Sequence, residues 1–225
     1  MLRTATVALL CWSMTVAAQS VPGGVSSLLQ RGQQQLDSGD FAGAAVSFEQ
    51  ARALAPEDPV VVRGLLYSYL RARRLSEAVT LGKEASQRWP QQPDFHHWLG
   101  LAYFQQGNTA AALGPLERAQ QLAPRRADIP YDRALVYLTE NKFTEAAEQL
   151  EKSLALNPDS ALAHVLLGRV YQNTNRTLQG IEHFRRAVKL QPDIPLGHYH
   201  LGFAYASLGR HQEAITELQK EAARS

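Results

Sequence analysis

Cysteine is nearly absent. Cys11 is the only one in 225 residues, so no disulfide can form within the chain and the fold must rest on packing. An excess of either charge is missing too. Twenty-three Lys and Arg stand against 21 Asp and Glu, a formal net charge of +2. That is too balanced to draw in nucleic acid or an anionic membrane through counterion release, so no nucleic-acid partner is expected. The short basic runs Arg71, Arg73, Arg74 and Arg125, Arg126 read as solvated helix ends. The only long apolar stretch lies at the N-terminus, and its length of about 15 residues falls short of the roughly 20 that cross a bilayer as a helix. A glycine-rich nucleotide loop, a nucleophile elbow and zinc-type His or Cys spacing are all lacking. No catalytic residue, metal ligand or cofactor is therefore expected. What remains is 45% hydrophobic and 20% charged, the composition of a folded chain.

Residues 1–18 read as an export signal. Arg3 supplies the positive region, Thr4 to Val16 a mostly apolar stretch, and Val16, Ala17 and Ala18 a small-residue cleavage site before Gln19. Cleavage after Ala18 removes Cys11 and leaves residues 19–24 as a linker. The mature chain is then expected to have no transmembrane span and to be exported, periplasmic or extracellular in a bacterial source. A membrane anchor is the competing reading, and the length of the stretch argues against it. A lipid anchor needs a small residue before Cys11, where Leu10 stands.

Beyond this segment the chain is periodic. Pro56, Pro90, Pro124, Pro158 and Pro192 recur every 34 residues, and a fixed period of roughly 20 to 50 residues marks a solenoid or array. Tyr69, Tyr103, Tyr137, Tyr171 and Tyr205 keep the same register, as do Ala44, Ala78, Ala112, Ala146, Gly180 and Ala214. A third series, Gly39, Arg73, Gly107, Asn141, Asn175 and Gly209, falls midway through each period. Gly and Asn tolerate the left-handed conformation that ends a helix, so each period splits into helix A, a tight turn and helix B. Arg73 is the exception, and a strained or differently shaped turn is expected there.

Small residues at Gly32, Gly100, Ala134, Gly168 and Gly202 let helix A approach helix B closely. The tyrosines, Leu65, Leu99, Leu167 and Leu201 of the A helices fill the space around that contact, together with Phe48, Leu116, Leu150, Phe184 and Leu218 of the B helices. One such unit cannot bury its apolar face alone, so stacking creates the core. Gly82 stands where a large apolar residue is usual, which predicts a thin core in the second unit unless Trp89 leans in.

The pattern resembles the tetratricopeptide repeat family. Its signature is carried in the third unit by Leu99, Gly100, Tyr103, Ala112, Leu116, Ala119 and Pro124, and in the sixth by Leu201, Gly202, Tyr205, Ala214 and Leu218. The resemblance implies an all-α, right-handed superhelical solenoid of six helix-turn-helix repeats, at 25–58, 59–92, 93–126, 127–160, 161–194 and 195–225. The family's signature tryptophan is absent, and its place holds Leu28, Val62, His96, Pro130, His164 and His198. Adjacent histidines on a helix point about 100° apart and alternate ones about 200°. His96 with His97, or His198 with His200, therefore cannot chelate one ion, and packing is expected of them. Asp94, Asp128, Asp159 and Asp193 lie near helix A starts, where they are expected to cap N–H groups and offset the helix dipole.

Arg31 and Gln35 make the first helix A polar, which suits a terminal cap. At the other end Ile215 is expected to stay partly uncovered. Neighbouring polar residues such as Gln212 and Glu217 solubilise it, or it serves an end-on partner or self-association through the C-terminal repeat.

The resemblance also implies that helix A lines a concave groove. Carried over position by position, the lining is Arg63, Tyr67 and Arg71; His97, Leu101 and Phe104; Tyr131, Leu135 and Leu138; Arg169 and Gln172; and Tyr199 with Phe203. Such a surface suits a peptide or protein segment with apolar side chains. The carboxylate clamp of chaperone-adaptor members has no match, since its positions hold Leu29, Gln33, Asp94 and Trp98. The expected function is a non-enzymatic protein-interaction scaffold in an extracytoplasmic complex. The alternative is a structural component of a cell-envelope assembly or secretion machine that uses its ends and convex face.

Overall fold

The computed structural model describes residues 24–223, and these form twelve α-helices with no strand among them. The helices come in antiparallel pairs along the chain. The first three pairs are α1 (Gly24–Asp37) with α2 (Phe41–Leu54), α3 (Pro59–Arg71) with α4 (Leu75–Arg88), and α5 (Pro93–Gln105) with α6 (Thr109–Leu122). The last three are α7 (Asp128–Thr139) with α8 (Phe143–Leu156), α9 (Ala161–Asn173) with α10 (Thr177–Leu190), and α11 (Gly197–Ser207) with α12 (His211–Ala222). The export-signal expectation falls on residues 1–18, outside the described ones.

All six turns inside a pair have one geometry. Gly39, Arg73, Gly107, Asn141, Asn175 and Gly209 each have positive φ, and Arg73 adopts it at 60° despite its Cβ. The following N–H then reaches back to the carbonyl five residues earlier, as from Arg74 to Tyr69 at 2.9 Å and from Arg176 to Tyr171 at 2.7 Å. Arg73 therefore makes the same turn as the glycines, and the strain is confined to its own backbone.

Three members of the tyrosine series, Tyr69, Tyr171 and Tyr205, bond the preceding helix B. Tyr69 donates to Glu49 of the preceding helix B at 2.8 Å, and the Arg74 guanidinium lies 4.4 Å from the Tyr69 ring centre while holding the same carboxylate at 2.7 Å. Burial, reinforced by Glu49, pushes the Tyr69 hydroxyl up to about 12. Tyr171 repeats the arrangement with Glu151 and Arg176, and Tyr205 accepts from Arg185 under Arg210.

The second unit shows how the core tolerates Gly82. Leu66, fully buried, occupies the position that holds Gly or Ala in every other helix A, so large and small are exchanged between the two helices. Leu99 of the next unit closes on Gly82, its backbone within 3.4 Å of where a Cβ would sit. The core is not thin there. Trp89 packs on Phe95 instead, with ring centres 5.3 Å apart.

The capping expectation needs a correction. The side chains that cap helices are Asp40, Asp58, Asn108 and Ser160. Asp94 and Asp128 are drawn onto Arg126, and Asp159 onto Arg186, because a guanidinium offers a charged donor that outcompetes a neutral N–H. The sixth unit also starts late. Leu196 has φ 59° and α11 begins only at Gly197, where a Cβ would meet Ile194 at 2.4 Å. Ile215 is 50% exposed against 1% for its equivalent Ile181, since no helix among the described residues covers that face of α12.

Candidate partner-binding groove

The A helices form the inner layer of the stack. Contacts run from α1 to α3, α3 to α5, α5 to α7 and α9 to α11, while no B helix packs on the next B helix to a comparable extent. Closer spacing on one side bends the stack toward it, so the A helices face the concave surface. Residues four apart on each A helix then project from one face.

Most of the expected lining is accessible there. Arg63, Arg71 and Arg169 are exposed, and Tyr67, Leu101, Phe104, Tyr131, Leu135, Leu138 and Gln172 are half-buried. Tyr199 and Phe203 are 44% and 54% exposed and stack on each other, with ring centres 6.3 Å apart. His97 differs. It is 3% exposed and lies beneath the surface. Its Nδ1 accepts from Arg126 at 3.0 Å, which fixes the tautomer so that Nε2–H donates to Asp132 at 2.6 Å. Arg126 also holds Asp94 at 2.5 Å and Asp128 at 2.6 Å. This network joins α5 to α7 and keeps the His97 ring beneath the groove surface.

Two hollows break the lining. One of about 460 Å³ lies between α1, α3 and α5 and gathers Arg63 and Tyr67 with Leu29, Leu36, Val60 and Trp98. The other, about 390 Å³, brings Phe104, Leu135, Leu138 and Arg169 together with Phe143 and Leu166. Both fall within the ~300–1,000 Å³ range of ligand-sized pockets. The contribution of Trp98 was not read as groove lining from the sequence. It is adjacent to His97, and the ~100° step between neighbours carries it into the hollow as His97 turns inward. Its apolar ring was the available signal.

A second cluster lies on the other side. His164 Nε2 bonds the Pro158 carbonyl at 3.0 Å, so it carries the proton, and His164 Nδ1 must accept from His183 Nδ1–H at 2.9 Å. His96 bonds Pro90 in the same way, and His198 pairs with Glu217 at 2.6 Å. Among the described residues no three His, Cys, Asp or Glu are arranged to hold a metal ion. Burial lowers both His164 and His183 below the ordinary 6.5, with the neighbouring His164 adding to the shift of His183. Burial lowers His200 as well, with Arg169 contributing. The unfolded chain then binds more protons than the folded one below that value, so this stability is complete above pH 6.5 and is lost as pH falls through it. Melting temperature is expected to drop between about pH 7.5 and pH 5.5, and His183→Gln is expected to flatten the drop; an equal slope in both proteins would refute the assignment.

The fold and groove define an all-α helical-repeat protein with a concave face lined by its A helices. A family model for the tetratricopeptide repeat matches residues 29–93 and 167–225, together more than half of the chain, and a TPR repeat model matches 134–175. The chain belongs to the tetratricopeptide repeat family, whose members are in general protein-interaction scaffolds. A model for subunit 3 of the anaphase-promoting complex, cyclosome, matches 71–153. A search of curated protein sequences returns no match.

Among solved structures, TTC0263, a thermophilic TPR protein of Thermus thermophilus, is 23% identical, covering 81% of this chain and 99% of that one at a TM-score of 0.65. MamA from residue 41 onward, from Desulfovibrio magneticus RS-1, is 26% identical over 74% of this chain and 94% of that one, TM-score 0.69. The APC/C hetero-tetramer Cut9–Hcn1 is 17% identical over 92% of this chain and 41% of that one, TM-score 0.75. The first and third show the fold alone. No helix among the described residues is long and apolar enough to cross a membrane.

Proposed function

We propose that this chain is an exported, non-enzymatic scaffold whose groove binds a peptide or protein segment and so helps assemble or localise an extracytoplasmic complex. The observation that carries the reading is the accessible aromatic and aliphatic lining on the A helices, with two hollows of ligand size in it. Export is supported by Arg3, the apolar Thr4 to Val16 stretch and the Val16-Ala17-Ala18 cleavage site. A second reading, attachment through the ends, is favoured by one feature, the 50% exposed Ile215 on α12.

One experiment separates the two. The mature chain is used to capture its partner from the native envelope fraction, beside a variant carrying Tyr67→Ala, Leu101→Ala and Tyr131→Ala. Affinity is expected to fall at least ~30-fold while the helical circular dichroism is retained. Undiminished capture by the folded variant removes the groove reading and leaves the ends as the attachment surface.

A further inference from the structure

The hollow between α1, α3 and α5 has a chemistry narrower than the rest of the groove. Arg63, Tyr67 and Arg71 stand four apart on α3 and so form a single stripe, with an aromatic ring between two cations. Neither cation is well matched among the described residues. No carboxylate of the described residues pairs with Arg71, which gives one N–H to the Tyr67 hydroxyl at 2.7 Å and rests its guanidinium 4.2 Å from the Phe41 ring centre. Arg63 is 51% exposed, and its nearest carboxylate is Asp94 at 3.8 Å. Asp94 is held more tightly by Arg126, at 2.5 Å. Beside Tyr67 the hollow is walled by Leu29, Leu36, Val60 and Trp98, with the Trp98 ring centre 5.3 Å from that of Tyr67.

The spacing selects a ligand. Eight residues of α-helix separate the two arginines by about 12 Å along the axis. An extended chain rises about 3.3 Å per residue, so its residues i and i+4 are about 13 Å apart, and i, i+2 and i+4 all project from one face. We infer that this part of the groove takes an extended segment of the pattern acidic-x-apolar-x-acidic, its carboxylates on Arg63 and Arg71 and its apolar side chain in the hollow. A basic segment would leave both guanidinium groups unmatched and facing like charge, which discriminates strongly against it. A purely apolar segment would cover the arginines without satisfying them. The inference rests on the groove reading above and assigns one partner chemistry to its N-terminal end.

The test uses the mature full-length chain and three fluorescein-labelled heptapeptides: Gly-Glu-Ser-Phe-Ser-Glu-Gly, its double Glu-to-Lys version, and its Phe-to-Ser version. Fluorescence anisotropy at low salt is expected to show saturable binding of the first peptide and at least ~tenfold weaker binding of the other two, the first weakening as salt rises. Charge reversal of the protein, Arg63→Glu with Arg71→Glu, is expected to invert the preference toward the lysine peptide. Loss of packing alone would not do so. Equal binding of the glutamate and lysine peptides, or no saturable binding of the first up to about 1 mM, overturns the inference. The groove reading then stands or falls separately, on whether native capture still depends on Tyr67, Leu101 and Tyr131.

Discussion

Replacing Phe184 with alanine is expected to lower the unfolding free energy by about 3–5 kcal/mol, the range for deleting a fully buried aromatic ring. Phe184 has no exposed surface. Its ring fills the space that Gly168 leaves open, where an added Cβ would come within 2.6 Å of it, and it stacks on His200 of the next unit at 5.6 Å between ring centres. Gly168, which faces the ring, has no side chain with which to fill the gap. Each repeat touches only its neighbours, so the loss should be local at first. Amide exchange should quicken in α9 to α12 while α1 to α6 keep their protection. A loss below about 1 kcal/mol in urea unfolding, or uniform loss of protection, would show that the ring is not the keystone of this end of the stack.

The second large effect is expected at His97. Substitution by leucine removes the N–H that serves Asp132, which has no other hydrogen-bond donor among the described residues, and the acceptor that takes a bond from Arg126. Leaving a buried charge without its partner costs about 3–5 kcal/mol when it is fully enclosed. The Asp132 side chain retains 17% exposure, which relieves part of the penalty, so a loss of about 2–3 kcal/mol is expected. The double variant His97→Leu with Asp132→Leu should recover at least half of this, because an apolar pair leaves no carboxylate stranded. Equal stability of the single and double variants in urea would mean that Asp132 finds solvation without His97, and that the network is dispensable to the joint between α5 and α7.

Much of this architecture was legible before any coordinates. Pro56 to Pro192 and the tyrosine series fixed the period, and the Gly and Asn series placed every turn, because a proline or a left-handed residue constrains the backbone locally whatever surrounds it. Arg73 was the instructive case. The sequence could mark it as the odd member, but only the neighbouring turns show that the common geometry prevails and Arg73 accepts the strained φ. The exchange between Leu66 and Gly82 was hidden for another reason. Each residue is unusual when read in its own column, and the compensation appears only when the two helices and Leu99 are packed together.

The groove divides in the same way. Resemblance to the tetratricopeptide family assigned Arg63, Tyr67, Arg71, Leu101, Tyr131, Tyr199 and Phe203 to the groove, and the structure leaves all of them accessible. His97 was assigned by the same resemblance yet is buried, because Arg126 comes from the loop ahead of α7 and Asp132 from α7 itself, and both bond the imidazole beneath the surface. Trp98 entered the hollow through the ~100° step between neighbours. Asp94, Asp128 and Asp159 were diverted by Arg126 and Arg186, whose positions depend on inter-repeat packing. By itself, then, the sequence determined the features that local backbone preference and periodicity dictate: the six units, their turns and the faces of their helices. Tertiary structure alone decided the features that depend on competition among partners distant in the chain. It set which carboxylate each arginine takes, which imidazole is buried, and where the concave face opens into a hollow.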